Sequence, residues 1–242
     1  MNDQISLQLY TVREAFTADP DAAIRRVADL GYRHVEPYDL TVFADVLHGA
    51  LHANGVTAPS AHSHVIDVDL DPVLDAAEHL GVATVIDSSI TANHWESEAQ
   101  IVAKASALNA AAKIARRHGI RLGYHNHWWE LEAHFSGVTG LEVFAAHLDP
   151  DVCIELDVYW AAVGGADPVH LIDALAGHVR FLHVKDGDLS RDMKRQMPAG
   201  RGIVEIDRIL AAAPDALRIV EFDDYAGDVF DGIGQSIAYL RC

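Results

Sequence analysis

The 242-residue sequence has little cysteine, few basic residues and no long apolar run, and each shortage excludes something. Cys153 lies inside an apolar stretch and Cys242 is the last residue, so the chain has neither a disulfide framework nor a thiolate metal site and suits a reducing compartment. No apolar segment reaches the roughly 18 residues of a membrane helix, and Met1 to Gln4 are polar, so the sequence reads as a cytoplasmic protein with no membrane partner. Lys and Arg number 18 against 36 Asp and Glu, a net charge of −18 that repels polyphosphates and argues against a nucleic-acid partner. No stretch is rich enough in Gly, Ser or Pro to link two domains, and neither a P-loop nor a GxGxxG fingerprint occurs. With 50% hydrophobic residues the whole chain, 1–242, reads as one compact domain.

One phrase recurs. Asp19-Pro20 opens an apolar-periodic segment through Ile24, Val27 and Leu30 that stops at Gly31; Asp71-Pro72 opens another that stops at Gly81, and Asp167-Pro168 a third that stops at Gly177. Asp serves as N-cap, Pro fits the first turn and Gly the left-handed position past the end. A short run rich in Val, Ile or Leu follows each helix, the pattern of a strand buried on both faces. Strands are expected at 5–10, 34–37, 56–61, 84–87, 121–125, 152–157, 180–184 and 218–222, and the longest helix at 97–118. Eight strands alternating with helices favour the α/β class and a closed (β/α)8 TIM barrel over an open doubly wound sheet.

Nearly every strand ends in a group able to bind metal or move protons: Glu36, His62 with His64, Asp87, His125 with His127, Asp157, His183 with Lys185, and Glu221. In a barrel these ends share the face that carries the active site. Asp157, His183, Glu221 and one imidazole from His125-Asn126-His127 form a mixed oxygen and nitrogen set suited to one divalent ion: Mn2+, Co2+, Zn2+, Fe2+ or Mg2+. Glu36 is expected to hydrogen-bond substrate or to pair with Lys185. His62 is placed in a substrate pocket, and Trp128, Trp129, Tyr159 and Trp160 are expected to form a stacking wall for a ligand ring. Arg201, in the loop at 197–202, is set against an anionic group of the substrate, and the loop glycines leave N–H groups open to a ligand.

The chain resembles the xylose isomerase-like TIM-barrel superfamily of sugar isomerases, epimerases and keto-sugar dehydratases, which has an apurinic endonuclease branch. The resemblance spans the length and is carried by Gln8-Leu9-Tyr10-Thr11-Val12-Arg13, Val35-Glu36-Pro37, Tyr124-His125-Asn126-His127, Leu156-Asp157-Val158-Tyr159-Trp160, Phe181-Leu182-His183-Val184-Lys185-Asp186 and Ile219-Val220-Glu221-Phe222-Asp223. It implies one divalent metal held by Glu, Asp, His and Glu from the fifth to eighth strands, and Asp157, His183 and Glu221 match the last three. The fifth-strand Glu aligns with His125. Either His125 ligates the metal, the favoured arrangement, or water, His127 or a loop glutamate (Glu130 or Glu132) takes that position.

The resemblance further implies an isomerase or epimerase acting through the ene-diolate of a keto-sugar or sugar phosphate; read from the residues themselves, Glu221 and His127 are expected to move protons, Lys185 to neutralise charge, and Tyr10 to sit at the substrate. The alternative is a lyase or hydrolase of keto-sugars or keto-inositols, in which a β-hydroxyl leaves. A non-catalytic sugar binder is a further reading. The endonuclease branch needs a His three residues after the sixth-strand Asp, where this chain has Trp160. Dimers or tetramers are common in the family, so a homo-oligomer is expected.

Overall fold

The computed structural model describes residues 4–175 and 177–242; Met1 to Asp3, most of the polar start noted above, and Ala176 lie outside them. The barrel strands are β1 (Ile5–Gln8), β2 (His34–Glu36), β3 (Ser60–His62), β4 (Thr84–Asp87), β5 (Arg121–His125), β6 (Cys153–Asp157), β7 (Val179–Val184) and β8 (Leu217–Val220). They form one 8-stranded sheet in the order β2-β1-β8-β7-β6-β5-β4-β3, every pair parallel. The edge strands β2 and β3 approach through an isolated parallel bridge between His34 and Thr57, which nearly closes the barrel. A helix follows each strand: α1 (Pro20–Asp29), α2 (Leu40–Asn54), α3 (Asp71–Leu80), α4 (Glu98–Ala115), α5 (Gly140–Ala145), α6 (Pro168–Ala174), α7 (Ile206–Ala212) and α8 (Val229–Leu240). The fold is the expected TIM barrel. No helix among the described residues is long and apolar enough to cross a membrane.

The local signals act largely as the sequence implies. Asp19 and Asp167 cap α1 and α6 through their side chains, each followed by Pro in the first turn. At α3 the cap is displaced: Leu70 is already helical, Asp71 is the first residue of the helix, and Asp69 accepts the Asp71 N–H from outside. β3 begins later than expected because Pro59 has no N–H for the ladder, leaving Thr57 only the bridge to β2 while the Val56 N–H bonds back to the Leu51 carbonyl. β1 ends at Gln8, whose side chain accepts the Tyr10 N–H and starts a 3-10 turn.

Two cores flank the sheet. The larger one packs strands against helices with residues such as Leu7, Val35, Leu122, Leu156 and Leu182. A small apolar plug of Ile86, Cys153, Phe181 and Ile219 fills the lower barrel interior. A Cβ at Gly123 would lie 2.6 Å from both Cys153 Sγ and Ile86 Cδ1, so the plug leaves room there for glycine alone. Above the plug the interior turns polar, with Gln8, Glu36, Ser60, Glu155 and His183 all buried. The β6–β7 register shifts between Ile154 and Glu155, so that Arg180 is the extra residue on β7; Glu155 then pairs with Phe181, and Asp157 with His183. Bulges of this kind re-aim side chains beside active sites.

Candidate active site

Asp157 and His183 face each other at the ends of adjacent strands, and the ends of β5 and β8 bring His125 and Glu221 beside them. Donor atoms of His125, Asp157, His183 and Glu221 all lie within 4.8 Å of one another. His183 Nδ1 is 2.7 Å from Glu221 Oε2, and His125 Nε2 is 3.9 Å from Asp157 Oδ2. Asp157 Oδ1 accepts the Trp160 N–H at the start of a short helix, which leaves Oδ2 aimed inward, buried and without a hydrogen-bond partner. Its one close neighbour is the Lys185 ammonium at 2.8 Å, a charge contact outside hydrogen-bond geometry. Lys185 also lies 2.6 Å from Glu221 Oε2 and 2.8 Å from Asp223 Oδ2.

These donors suit a divalent ion. Asp157 Oδ2 meets the Lys185 ammonium as an ion pair but accepts no well-aligned hydrogen bond, so this buried carboxylate oxygen keeps capacity for a further partner. The 3.9 Å gap to His125 Nε2 is too wide for a hydrogen bond and a few tenths of an ångström wider than the roughly 3.3–3.6 Å between two tetrahedral ligands each about 2.0–2.2 Å from one ion. Of the alternative fourth ligands, the two loop glutamates are committed elsewhere, whereas His127 Nδ1 is buried without a hydrogen-bond partner and stays available. Glu130, fully buried, accepts from the Tyr124 hydroxyl and from the His127 N–H, and Glu132 pairs with Arg191.

Beneath this set lies a second, overlapping one whose centre the strand-end pattern misses: Glu155, with His62, His125 and His183. One carboxylate oxygen, Glu155 Oε2, meets three imidazoles: His62 Nε2 at 2.6 Å, His125 Nδ1 at 3.0 Å and His183 Nε2 at 3.0 Å. Glu36 joins from β2, accepting from Gln8 Nε2 at 2.9 Å, from Ser60 Oγ, and from His183 Nε2 at 2.8 Å, with His62 Nε2 at 3.2 Å. It is not paired with Lys185, because β2 and β7 bring Glu36 to the inner nitrogen of His183 while Lys185 stands at its outer side. His125 and His183 thus present one nitrogen to the inner carboxylates and the other to the outer donors. Asn126 ties the strand ends together, its side chain accepting the Asp157 N–H and donating to the Asp157 carbonyl.

The electrostatics follow from burial and pairing. Burial and the adjacent Glu36 raise the Glu155 pKa, but the imidazoles of His183, His62 and His125 outweigh them and hold it at about 2. Burial also opposes charge on Glu36 and Glu221, yet His62 and His183 in one case, and Lys185 and His183 in the other, keep both well below the carboxylate range. Burial disfavours a charged His62, but Glu36 and Glu155 overcome it and lift the pKa to about 10. His125 goes the other way, lowered by burial and by the neighbouring His183 cation. Asp157 is raised because burial exceeds the help of Lys185 and His183.

A cavity of about 300 Å³ opens above the cluster, at the lower end of the range for small-ligand sites. Tyr10, His62, His64, His125, His127 and Glu221 line it. Ser63, Ser88 and Ser89 add hydroxyls that the sequence patterns do not single out. Three expected substrate contacts stand elsewhere: Trp160 is buried, Trp128 packs on it with ring centroids 4.8 Å apart, and Arg201 is exposed outside the cavity. Tyr159 is also buried and Trp129 stacks on His127, so the expected stacking wall of these four rings does not line the cavity. Asp87 is structural, accepting the N–H groups of Val65, Ile66 and Ser89 and so binding the β3 and β4 loops together.

Comparison with known proteins places this geometry in a family. The profile described as the xylose isomerase-like TIM barrel matches residues 24–241. Among solved structures, a sugar phosphate isomerase/epimerase from Parabacteroides distasonis ATCC 8503 superposes with a TM-score of 0.81 at 22% identity, covering 100% of this chain and 94% of the other. The probable 3-DHS dehydratase AsbF involved in petrobactin synthesis, from Bacillus anthracis, gives 0.76 at 14% identity, covering 99% of each chain. The IOLI protein, solved with a binding zinc atom, gives 0.74 at 13% identity over 98% of this chain and 96% of that one. These likenesses establish the shared fold. No curated protein matches the sequence.

Proposed function

The chain belongs to the xylose isomerase-like TIM barrel family, and from that premise we propose that it is a metal-dependent isomerase or epimerase of a keto-sugar. The observation that carries this reading is the convergence of donor atoms from His125, Asp157, His183 and Glu221 within 4.8 Å of one another, His125 and Glu221 lining the cavity and Asp157 Oδ2 held by the Lys185 ion pair alone. A similarly folded protein, IOLI, holds a zinc atom. When bound, a divalent ion supplies Lewis acidity toward the carbonyl and adjacent hydroxyl of the sugar, acidifying the neighbouring C–H.

The chain's own residues supply the rest. Glu221 lines the cavity as an ionised carboxylate and is the acceptor for the carbon proton, its charge maintained by Lys185 and His183. His127, lining the same cavity and stacked on Trp129 at 4.2 Å, carries the second proton. Lys185 neutralises charge that develops on the ene-diolate, and His62, His64 and Tyr10 receive sugar hydroxyls. Returning the proton to carbon isomerises or epimerises the sugar.

A lyase is the second reading, favoured by His125 standing where the two-carboxylate epimerases have Glu: an imidazole-rich cavity can protonate a departing β-hydroxyl. The test incubates purified protein with ketoses in D2O with and without chelator. Chelator-sensitive deuterium at carbon with a new sugar isomer supports the isomerase. Loss of water from a keto-sugar or keto-inositol supports the lyase, and neither outcome with metal bound refutes both.

A further inference from the structure

A phosphate ester carries close to two negative charges at neutral pH and is gripped by Arg or Lys side chains or by free backbone N–H groups. In TIM barrels the loops after strands seven and eight commonly offer those N–H groups. This chain has a glycine-containing loop at 197–202 after β7, but most of its donors are already used. Asp186, fully buried, turns its carboxylate under the loop. Oδ1 accepts from Gly187 N at 2.8 Å and from Val204 N at 3.1 Å, and Oδ2 from Gly202 N at 2.8 Å. Three more donors are spent, Ala199 N on Ser236 Oγ, Arg201 N on the Pro198 carbonyl and Ile203 N on the Gly187 carbonyl. A Cβ on Gly202 would fall 2.2 Å from Asp186 Oδ1, so the loop is moulded to this carboxylate. The expectation of N–H groups open to a ligand is therefore corrected at Gly202, where a carboxylate of the chain takes the anion's place, and a single glycine donor, Gly200 N, has no acceptor among the described residues.

The cavity wall points the same way. Among the described residues no Arg or Lys lines it, whereas Asp39, Glu221 and Asp223 do. Lys185, just behind, is already matched by three carboxylates. Arg191 and Arg195 in the β7 loop pair with Glu132 and Asp188, and Arg13 stacks on the outer Tyr10 ring and lines a separate groove. His62 does line the cavity, but its Nε2 is held between Glu155 and Glu36. The wall is well supplied with hydroxyl partners in Tyr38, Ser63, Ser88 and Ser89. A chain charge of −18 adds a field that repels anions.

We infer that the site takes uncharged keto-sugars and discriminates against their phosphate esters. This deepens the keto-sugar reading above and rests on it. The experiment titrates metal-reconstituted protein with D-fructose, D-tagatose and D-psicose and with the 6-phosphate of each, at low and high salt, and follows deuterium uptake by all six in D2O. Each ester should bind at least tenfold more weakly than its parent sugar, and the gap should narrow as salt screens the repulsion. An ester that binds as well as its parent, with affinity falling as salt rises, overturns the inference, and deuterium uptake by that ester leaves the isomerase reading intact. Binding by none of the six also overturns it. Absence of uptake across the panel, with metal bound, removes the isomerase reading as well.

Discussion

Glu155 is the side chain on which the site's geometry depends most, and replacing it with Ala isolates that dependence. The substitution removes the acceptor for His62 Nε2, His125 Nδ1 and His183 Nε2 at 2.6, 3.0 and 3.0 Å. Two of the rings keep a second carboxylate, since Glu36 Oε1 stands 2.8 Å from His183 Nε2 and 3.2 Å from His62 Nε2. His125 Nδ1 has no other partner among the described residues, so the loss falls on the ring whose opposite nitrogen faces Asp157. One buried N–H left unpaired costs about 1–3 kcal/mol. A metal ligand deprived of its orienting carboxylate loses about 10–100-fold in metal affinity. Competition with a chromophoric chelator, and the visible spectrum of the Co2+ form, should show a loss in that range for Glu155→Ala. Glu155→Gln, which retains one acceptor oxygen, should lose less. Circular dichroism and thermal melting confirm that each variant is folded. A folded Glu155→Ala protein that binds Co2+ as tightly as the parent would refute the orienting role.

Acid should expose the same residue. The folded pKa of Glu155 is about 2 against an ordinary 4.5, so its stabilisation is fully present above 4.5 and is lost as pH falls through about 2. Denaturant midpoints measured across that window should fall more steeply for the parent than for Glu155→Gln, and parallel curves would contradict the assignment. Gly123→Ala should destabilise by about 1–3 kcal/mol through overpacking against Cys153 and Ile86, as read by chemical denaturation, whereas a neutral effect would mean the plug yields. Cys153 is buried and its thiol pushed up to about 12 by burial and the Glu155 charge, so a thiol reagent should label Cys242 alone in the native protein. Labelling of both without denaturant would show that the barrel interior opens.

The barrel is legible in the sequence because its signals are local. Asp-Pro starts and Gly stops bracket helices, and Val-, Ile- and Leu-rich runs mark the strands between them. Asp157, His183 and Glu221 are legible for the same reason, since a titratable group ending an apolar strand stands out. Glu155 does not stand out, because it sits inside the apolar run Cys153-Ile154-Glu155-Leu156-Asp157 and ends nothing. Period-two alternation from Asp157 was the available signal: it puts Glu155 on the same face, pointing into the barrel. The serines of the cavity and the role of Asp186 depend on how separate loops close over one another, which no short-range pattern records. The displacement of Trp160 and Arg201 from the cavity has the same origin, because composition marks them as ligand contacts while tertiary packing decides where they face.

If His125, Asp157, His183 and Glu221 together hold one divalent ion, elemental analysis of the protein, reconstituted and freed of excess ion, should find close to one equivalent, and an Asp157→Ala variant treated identically should lose it while staying folded. A parent without bound ion, or a variant that retains it in full, would show that these four residues do not form the metal site.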